Sequence, residues 1–426
     1  MEIPQSVRQA ARETAEKLPK NASEIFQNCY LDTLANTTTL LDDGTTFLIT
    51  GDIPAMWLRD SSAQVMHYLP LVPKDREVSR IIGGLVRRQA MYVNLDPYAN
   101  AFNREPDDSG WKDDLTERNP WDWERKYEVD SLCYPILLAY RYWKAGGETQ
   151  VFEESFFGAL RKTLAVWKTE QHHDERSPYR FQRRNCRETS TLANGGLGTP
   201  VAYTGMTWSG FRPSDDRCVY GYNIPSNMFA AVVLGYVEEM AEQIYRDASL
   251  REDAAKLRSE IDGGIAAFGT AEQEGFGKIY AFETDGMGNR LLADDANVPN
   301  LLGIPYFGYR GADDEIYRNT RRFVLSGSNP YYYEGKFARG LGSSHTPKRN
   351  VWHIGLIMQA LTSQDPRETE ELVRMILRTD AGCGCMHESF HPDDPRDFTR
   401  KWFAWADSLF AELMLRLADT PENGGA

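Results

Sequence analysis

Two neighbouring carboxylates, Asp215 and Asp216, follow Arg212-Pro213-Ser214 near the middle of the chain. Proline presets the backbone for a turn and serine favours one, so the pair is expected on a loop. Trp208, Phe211, Tyr220 and Tyr222 flank it, and after Pro225 apolar residues recur at helical spacing at Met228, Phe229, Val232, Val233 and Tyr236. Apolar rings around a carboxyl group disfavour its charged form and raise its pKa, which suits a general acid. Aromatic faces beside carboxylates and amides also suit the holding of a sugar. The stretch reads equally well as a polar turn closed by its acids, with Asn223 or Ser226 capping the next helix.

Three other stretches carry comparable side chains. Gly51 to Ser61 presents Trp57, Arg59 and Asp60 in a turn at a helix start. There an arginine can donate to vicinal sugar hydroxyls while the carboxylate accepts. A local salt bridge, with Asp60 or Ser61 as helix cap, is the simpler alternative. Trp121 to Ser131 places Glu128 and Asp130 just before an apolar helix. Glu388, between His387 and Ser389, has the polar setting of a base that stays ionised and orients a water; a surface ion pair is its plain alternative. His353, after Trp352, is either a donor to a sugar hydroxyl or a satisfied buried histidine. His387 and His391 are four apart, but Pro392 and Asp393 put them in a loop, so no metal site is expected. Nucleophile-elbow, dinucleotide and P-loop motifs are absent.

If the long loops share one face, Asp60, Glu128, Asp130, Asp215, Asp216 and Glu388 converge. Glycoside hydrolysis needs two carboxyl groups in unlike environments, one protonated and one ionised.

The elements that would position them are helical. Apolar periodicity predicts helices over 5–35 (interrupted near Pro19 and Asn21), 76–93, 132–143, 151–170, 227–246, 249–268, 313–325, 351–361, 367–377 and 399–417. Loops rich in Trp, Asp, Asn or His separate many of them. This rhythm is that of an all-α (α/α)6 barrel, a toroid of paired helices with short β-hairpin insertions, filling residues 1–426 as a single domain. Segment 270–292 is Gly-rich and strand-prone, with no role assigned. The tail from Asp419 is polar and expected to fray.

Composition narrows the partners. A net charge of −14 argues against nucleic acid and anionic membranes. No run approaches the ~18 apolar residues of a membrane span. The first residues lack a basic segment followed by an apolar one, and six unpatterned cysteines suit a reducing compartment. A cytoplasmic protein is expected.

Gly51-Asp52-Ile53-Pro54-Ala55-Met56-Trp57-Leu58-Arg59-Asp60 resembles a motif of glycoside hydrolase family 125, as do Arg212-Pro213-Ser214-Asp215-Asp216 and Met386-His387-Glu388-Ser389. The resemblance runs over nearly the whole chain, segment 270–292 excepted. It implies an (α/α)6 barrel and an exo-acting α-1,6-mannosidase that inverts configuration and uses neither metal nor cofactor. The substrate would be a mannose-containing oligosaccharide or N-glycan fragment. The resemblance puts the general acid in the Arg-Pro-Ser-Asp-Asp motif, assigned to Asp215 with Asp216 as the alternative, and the general base at Glu388. It puts Arg59, Asp60, Tyr222, Asn223, Asn227 and His353 around the terminal mannose, with Trp57, Glu128 and Asp130 nearby. Two alternatives stay open: another (α/α)6 enzyme, such as a glucoamylase-like hydrolase or sugar epimerase, and a non-catalytic glycan-binding toroid.

Mannosidase activity is expected to survive exhaustive chelation. Loss in EDTA with recovery on adding calcium would contradict this.

Overall fold

The computed structural model describes residues 1–420; beyond Thr420 the polar tail expected to fray lies outside the described residues. Among the described residues fourteen α-helices follow in order: α1 Gln5–Ala15, α2 Lys20–Asp32, α3 Leu58–Ala63, α4 Arg76–Leu95, α5 Val129–Lys144, α6 Glu154–Glu170 and α7 His173–Arg176. Then come α8 Ile224–Met240, α9 Ala248–Phe268, α10 Ile304–Phe307, α11 Glu315–Val324, α12 His353–Leu361, α13 Pro366–Leu377 and α14 Ala404–Ala418. Pro19 ends the first predicted helix and starts α2, since proline's missing N–H costs nothing at a helix start. Asp75, Asp247, Asp314 and Asp365 cap α4, α9, α11 and α13 by accepting backbone N–H bonds, which fixes where these helices begin.

The helices pack in a series that runs from α12 through α14 and α3 to α10. α3 lies on α5, α5 on α8, α8 on α10, α12 on α14, and α14 on α3. Outside it, α2 backs α14, α6 packs on α4, α9 on α8, and α13 on α12. α8 and α12, which lie in the series, are almost wholly buried, whereas α13 and α11 bury one face. One hydrophobic cluster runs from Val7 to Met414.

Strands are few and short. Three small antiparallel sheets sit at the entrances of inner helices. Met56–Trp57 pairs with Ala101–Phe102, and Tyr222–Asn223 with Glu283–Thr284. Val351–Trp352 pairs with Ser389–His391, which pairs on with Asp394–Thr399. Each first strand runs directly into a helix: α3, α8 and α12 respectively. These pairings replace side-chain caps at two of the three. Trp57, not Asp60 or Ser61, occupies the cap position of α3, and Asp60 lies in its first turn. Asn223 does cap α8, accepting from the Ser226 N–H at 3.1 Å.

Segment 270–292 has a structural task. Thr270–Gln273 and Gly277–Tyr280 form a hairpin, after which Glu283 enters the sheet beside Asn223. Buried Glu283 accepts from Arg212 Nε at 2.5 Å and from the Val219 and Tyr220 N–H groups at 2.8 and 2.9 Å. It thereby anchors both ends of the turn that carries Asp215.

Removing one partner of a buried ion pair strands the other charge. Arg212→Met is therefore expected to destabilise the protein by ~3–5 kcal/mol in urea denaturation. A loss below ~1 kcal/mol, the range of exposed pairs, would show that Glu283 does not depend on Arg212.

Candidate active site

The first turns of α3 and α14 meet at one cavity of about 1160 Å³. Arg59 is the second residue of α3, Asp130 the second of α5, and Trp405 the second of α14. Acids in these first turns are favoured by the positive end of the helix dipole, and Asp60, Asp130 and Asp407 all occupy such positions.

Arg59 is the centre. It is 3% exposed, and its Nη1 donates to Glu128 at 2.7 Å and to Asp130 at 3.0 Å. Its Nη2 donates to Asp215 at 3.2 Å, and Nε stands 3.6 Å from Asp60. One face of the guanidinium looks onto Trp405, 5.6 Å from the ring centre. Four carboxylates thus share one guanidinium, and the balance of burial and charge separates their protonation. Burial drives Glu128 well above the usual carboxylate range; Arg59 opposes this, while Asp215 and Asp130 add to it. Burial likewise pushes Asp130 up to about 6 against the pull of Arg59, and raises Asp60.

Asp215 goes the other way. Burial would raise it, but Arg59, Lys126, the neighbouring Glu128 side chain and His345 override burial and hold its carboxyl well below the usual range. The expected aromatic cage is not what surrounds it. Trp208 is buried against His173, ring centres 3.5 Å apart, and Phe211 packs edge-on against Phe181. Asn100 donates to Asp215 Oδ1 at 3.3 Å, and Lys126 donates to its carbonyl oxygen at 2.8 Å.

The backbone explains how adjacent acids part. Asp215 has φ +62°, in the left-handed region that aspartate tolerates better than most residues. The Arg212 N–H donates to the Asp216 carbonyl at 2.8 Å, and the Asp215 N–H to the Arg212 carbonyl at 2.9 Å. In this tight turn Asp215 faces the cavity with its side chain 21% exposed. Asp216 turns away into the wall, where it accepts from Ser344 at 2.5 Å and meets His345 Nδ1 at 3.3 Å.

Glu388 lies on the same cavity in a different setting. Thr399 Oγ1 donates to it at 2.8 Å and Arg400 stands 3.6 Å away. Thus Trp57, Arg59, Asp60, Asp215 and Glu388 line one space. Glu128 and Asp130 do not; they sit behind Arg59. Tyr222, Asn223, Asn227 and His353 also lie outside the lining. Tyr222 is buried and donates to the Ala202 carbonyl. Asn227 spends its amide on Thr207 and Asn223 backbone groups. His353 accepts from the His387 N–H and meets Thr379; burial, with His387 beside it, lowers it to about 3, so it is neutral. Each is fully satisfied by the fold.

The sequence reading missed Trp405, Phe403, His345, Asn297, Lys126 and Arg400 on the cavity wall. One signal was available. Trp57, Trp352 and Phe403 each stand immediately before an inner helix, so aromatic residues at helix entrances mark the walls. Among the described residues no group of three or more His, Cys, Asp or Glu is disposed to hold a metal, and no helix is long and apolar enough to cross a membrane.

A mostly helical scaffold that brings two differently held carboxylates, a buried arginine and aromatic walls to one cavity is the arrangement of a glycoside hydrolase. The sequence profile of the family described as metal-independent α-mannosidase matches residues 19–415, and the chain belongs to that family, glycoside hydrolase family 125. It is 38% identical to the meiotically up-regulated gene 157 protein of Schizosaccharomyces pombe, over 97% of this chain and 86% of that one. The structure superposes with TM-score 0.96 on a metal-independent α-mannosidase of Streptococcus pneumoniae, solved in a non-productive complex with α-1,6-mannobiose. The two are 49% identical over 98% of this chain and 100% of the other. A wild-type glycosidase shares the fold at TM-score 0.55 with 12% identity, over 98% of this chain and 99% of that one.

The raised carboxyls give a pH dependence. Asp130 at about 6, and Asp407, pushed to about 7 by burial with Asp32 nearby, keep protons in the folded state that an unfolded aspartate near 3.8 has released. Their contribution to stability is full below the unfolded value and disappears as pH rises through the folded ones. Stability is therefore expected to fall between about pH 4 and pH 7, and Asp407→Asn to flatten that slope. Chemical denaturation across this range checks it; an unchanged slope in the variant would show that Asp407 is ionised in the fold.

Proposed function

We propose that the protein is an exo-acting α-mannosidase that releases terminal α-1,6-linked mannose with inversion, Asp215 acting as general acid and Glu388 as general base. The carrying observation is that these two carboxylates share one cavity but are held by opposite means. Arg59 and Lys126 bind Asp215 in a cationic grip, whereas Glu388 is held by a threonine hydroxyl and a more distant arginine. The S. pneumoniae relative's complex with α-1,6-mannobiose supports the linkage. The packing series α12–α14–α3–α5–α8–α10, with α2, α6, α9 and α13 on its outside, supports reading the scaffold as an (α/α)6 barrel.

Arg59 and Lys126 hold the Asp215 carboxyl well below the usual range, so a general acid there must receive its proton from a neighbour. Glu128, beside Asp215 on the same guanidinium, is the carboxyl that burial raises most clearly, and it is the proton's source. A neutral sugar covering Asp215 removes its remaining water, and desolvation favours the neutral form of a carboxyl group. The proton then moves within the cluster to Asp215 and on to the glycosidic oxygen. Glu388 takes a proton from water attacking the opposite face of the sugar. Asp216 is the poorer acid, since the wall, not the cavity, receives its side chain.

The test compares leaving groups. Asp215→Asn keeps the left-handed turn, which asparagine tolerates. It is expected to cut kcat/KM for α-1,6-mannobiose by ~10²–10⁴, the range for losing proton transfer, and to cut that for an activated aryl α-mannoside less. Glu388→Gln is expected to abolish both. NMR should show β-mannose as the first product; first-formed α-mannose would mean retention and overturn the mechanism.

A further inference from the structure

The cavity exceeds the ~300–1,000 Å³ of a typical drug-sized ligand site, and its aromatic lining is graded by depth. Trp352 and Trp405 are 2% exposed and Trp57 6%, Trp123 is half-buried, and Trp111 is 50% exposed. The candidate acid and base, 21% and 9% exposed, line the same cavity. Trp111, the most exposed of these rings, lines the same cavity from its open side.

Trp111 is an open side chain on a fixed mount. The Arg183 guanidinium stacks on its indole, 3.9 Å from the ring centre. Arg183 cannot wander, because Asp114 takes two of its hydrogen bonds, at 2.7 and 2.6 Å, and Glu124 a third at 2.8 Å. The loop is pinned as well. Trp111 N–H donates to the Trp123 carbonyl at 3.0 Å. Gly110 has φ +99°, and a Cβ there would stand 2.2 Å from that carbonyl oxygen, so only glycine lets the loop approach so closely. The charge of its backing is neutralised by buried acids, so what remains open is an apolar ring.

The same mount reaches the reaction centre. Glu124, which holds Arg183, also accepts from Asn100 at 3.1 Å, and Asn100 donates to Asp215. The platform and the candidate acid are parts of one hydrogen-bonded unit.

We propose that Trp111, backed by Arg183, is the platform for the leaving part of the substrate. It would take the apolar face of a neutral hexose in the glycan beyond the bond that is cut, and so favour oligosaccharides over short mannosides. This rests on the reading of the cavity as a mannosidase site. A flat, neutral-backed ring suits uncharged pyranose units, which carry their C–H groups on one face.

The experiment measures kcat/KM for α-1,6-mannotriose and for an aryl α-mannoside with wild type, Trp111→Ala and Trp111→Phe. In Trp111→Ala the ratio of the two values is expected to fall roughly tenfold, as for a lost aromatic anchor, with the change chiefly in KM. Trp111→Phe should restore part of it. An unchanged ratio, whether activity is kept or lost on both substrates alike, would overturn the platform. Calorimetric titration of α-1,6-mannotriose into Asp215→Asn, with and without Trp111→Ala, separates the two readings. Wild type inactive on both substrates, but with triose binding that weakens roughly tenfold without Trp111, would refute the mannosidase and keep the platform. Equal binding with and without Trp111 would refute the platform alone.

Discussion

One buried guanidinium holds this site together. Arg59 binds Glu128 at the cap position of α5 and Asp130 in its first turn, Asp215 from the turn before α8, and stands beside Asp60 of its own helix. Burying carboxylates is expensive, and attraction repays the cost only where geometry and hydrogen bonding are good. An arginine does this better than a lysine because its donors lie in a rigid plane and address several acceptors at once. The cluster has more negative than positive groups, so burial forces part of it to keep protons. That imbalance sets Glu128 high and Asp215 low. The chemistry proposed for the cavity follows from the electrostatics of this one contact.

The second constraint is where Arg59 can stand. Helices α3 and α14 begin at the cavity, and α3, α8 and α12 are entered from short strands whose pairing fixes the direction of entry. The residues at these entrances are Trp57, Asn223 and Trp352. Acids in first turns gain from the helix dipole, and an aromatic at the cap position is delivered to the wall. A scaffold of helices can thus collect unlike side chains from distant parts of the chain with few loop contacts. The price is paid by the turn at Arg212–Asp216, which requires a left-handed aspartate and a buried anchor at Glu283.

Much of this was legible in the sequence. Periodicity locates most of the long helices to within a few residues, because each must bury an apolar face. The motifs around Arg59, Asp215 and Glu388 stand out, because such residues gather before apolar helices, and the family resemblance rests on them. Two things depend on neighbours that the sequence does not show. The rings near Asp215 in sequence, Trp208 and Phe211, pack elsewhere, so a raised pKa was expected where a lowered one is found. Tyr222, Asn223, Asn227 and His353 resemble sugar ligands by type, yet each is consumed by backbone groups or a buried hydroxyl.

The sequence by itself determined the helical class, the family and the three segments that carry Arg59, Asp215 and Glu388. Local spacing and side-chain type suffice for these, since periodic burial and motif order are properties of the chain. Only the tertiary structure decided which acid of the Asp215–Asp216 pair faces the cavity, which carboxyls keep protons, and that Trp111 lines the cavity from its open side. Those outcomes depend on partners brought from far along the chain, Ser344 and His345 for Asp216 and Arg183 for Trp111. A charge or a ring takes its character from what lies within a few ångströms of it, and folding alone sets that neighbourhood.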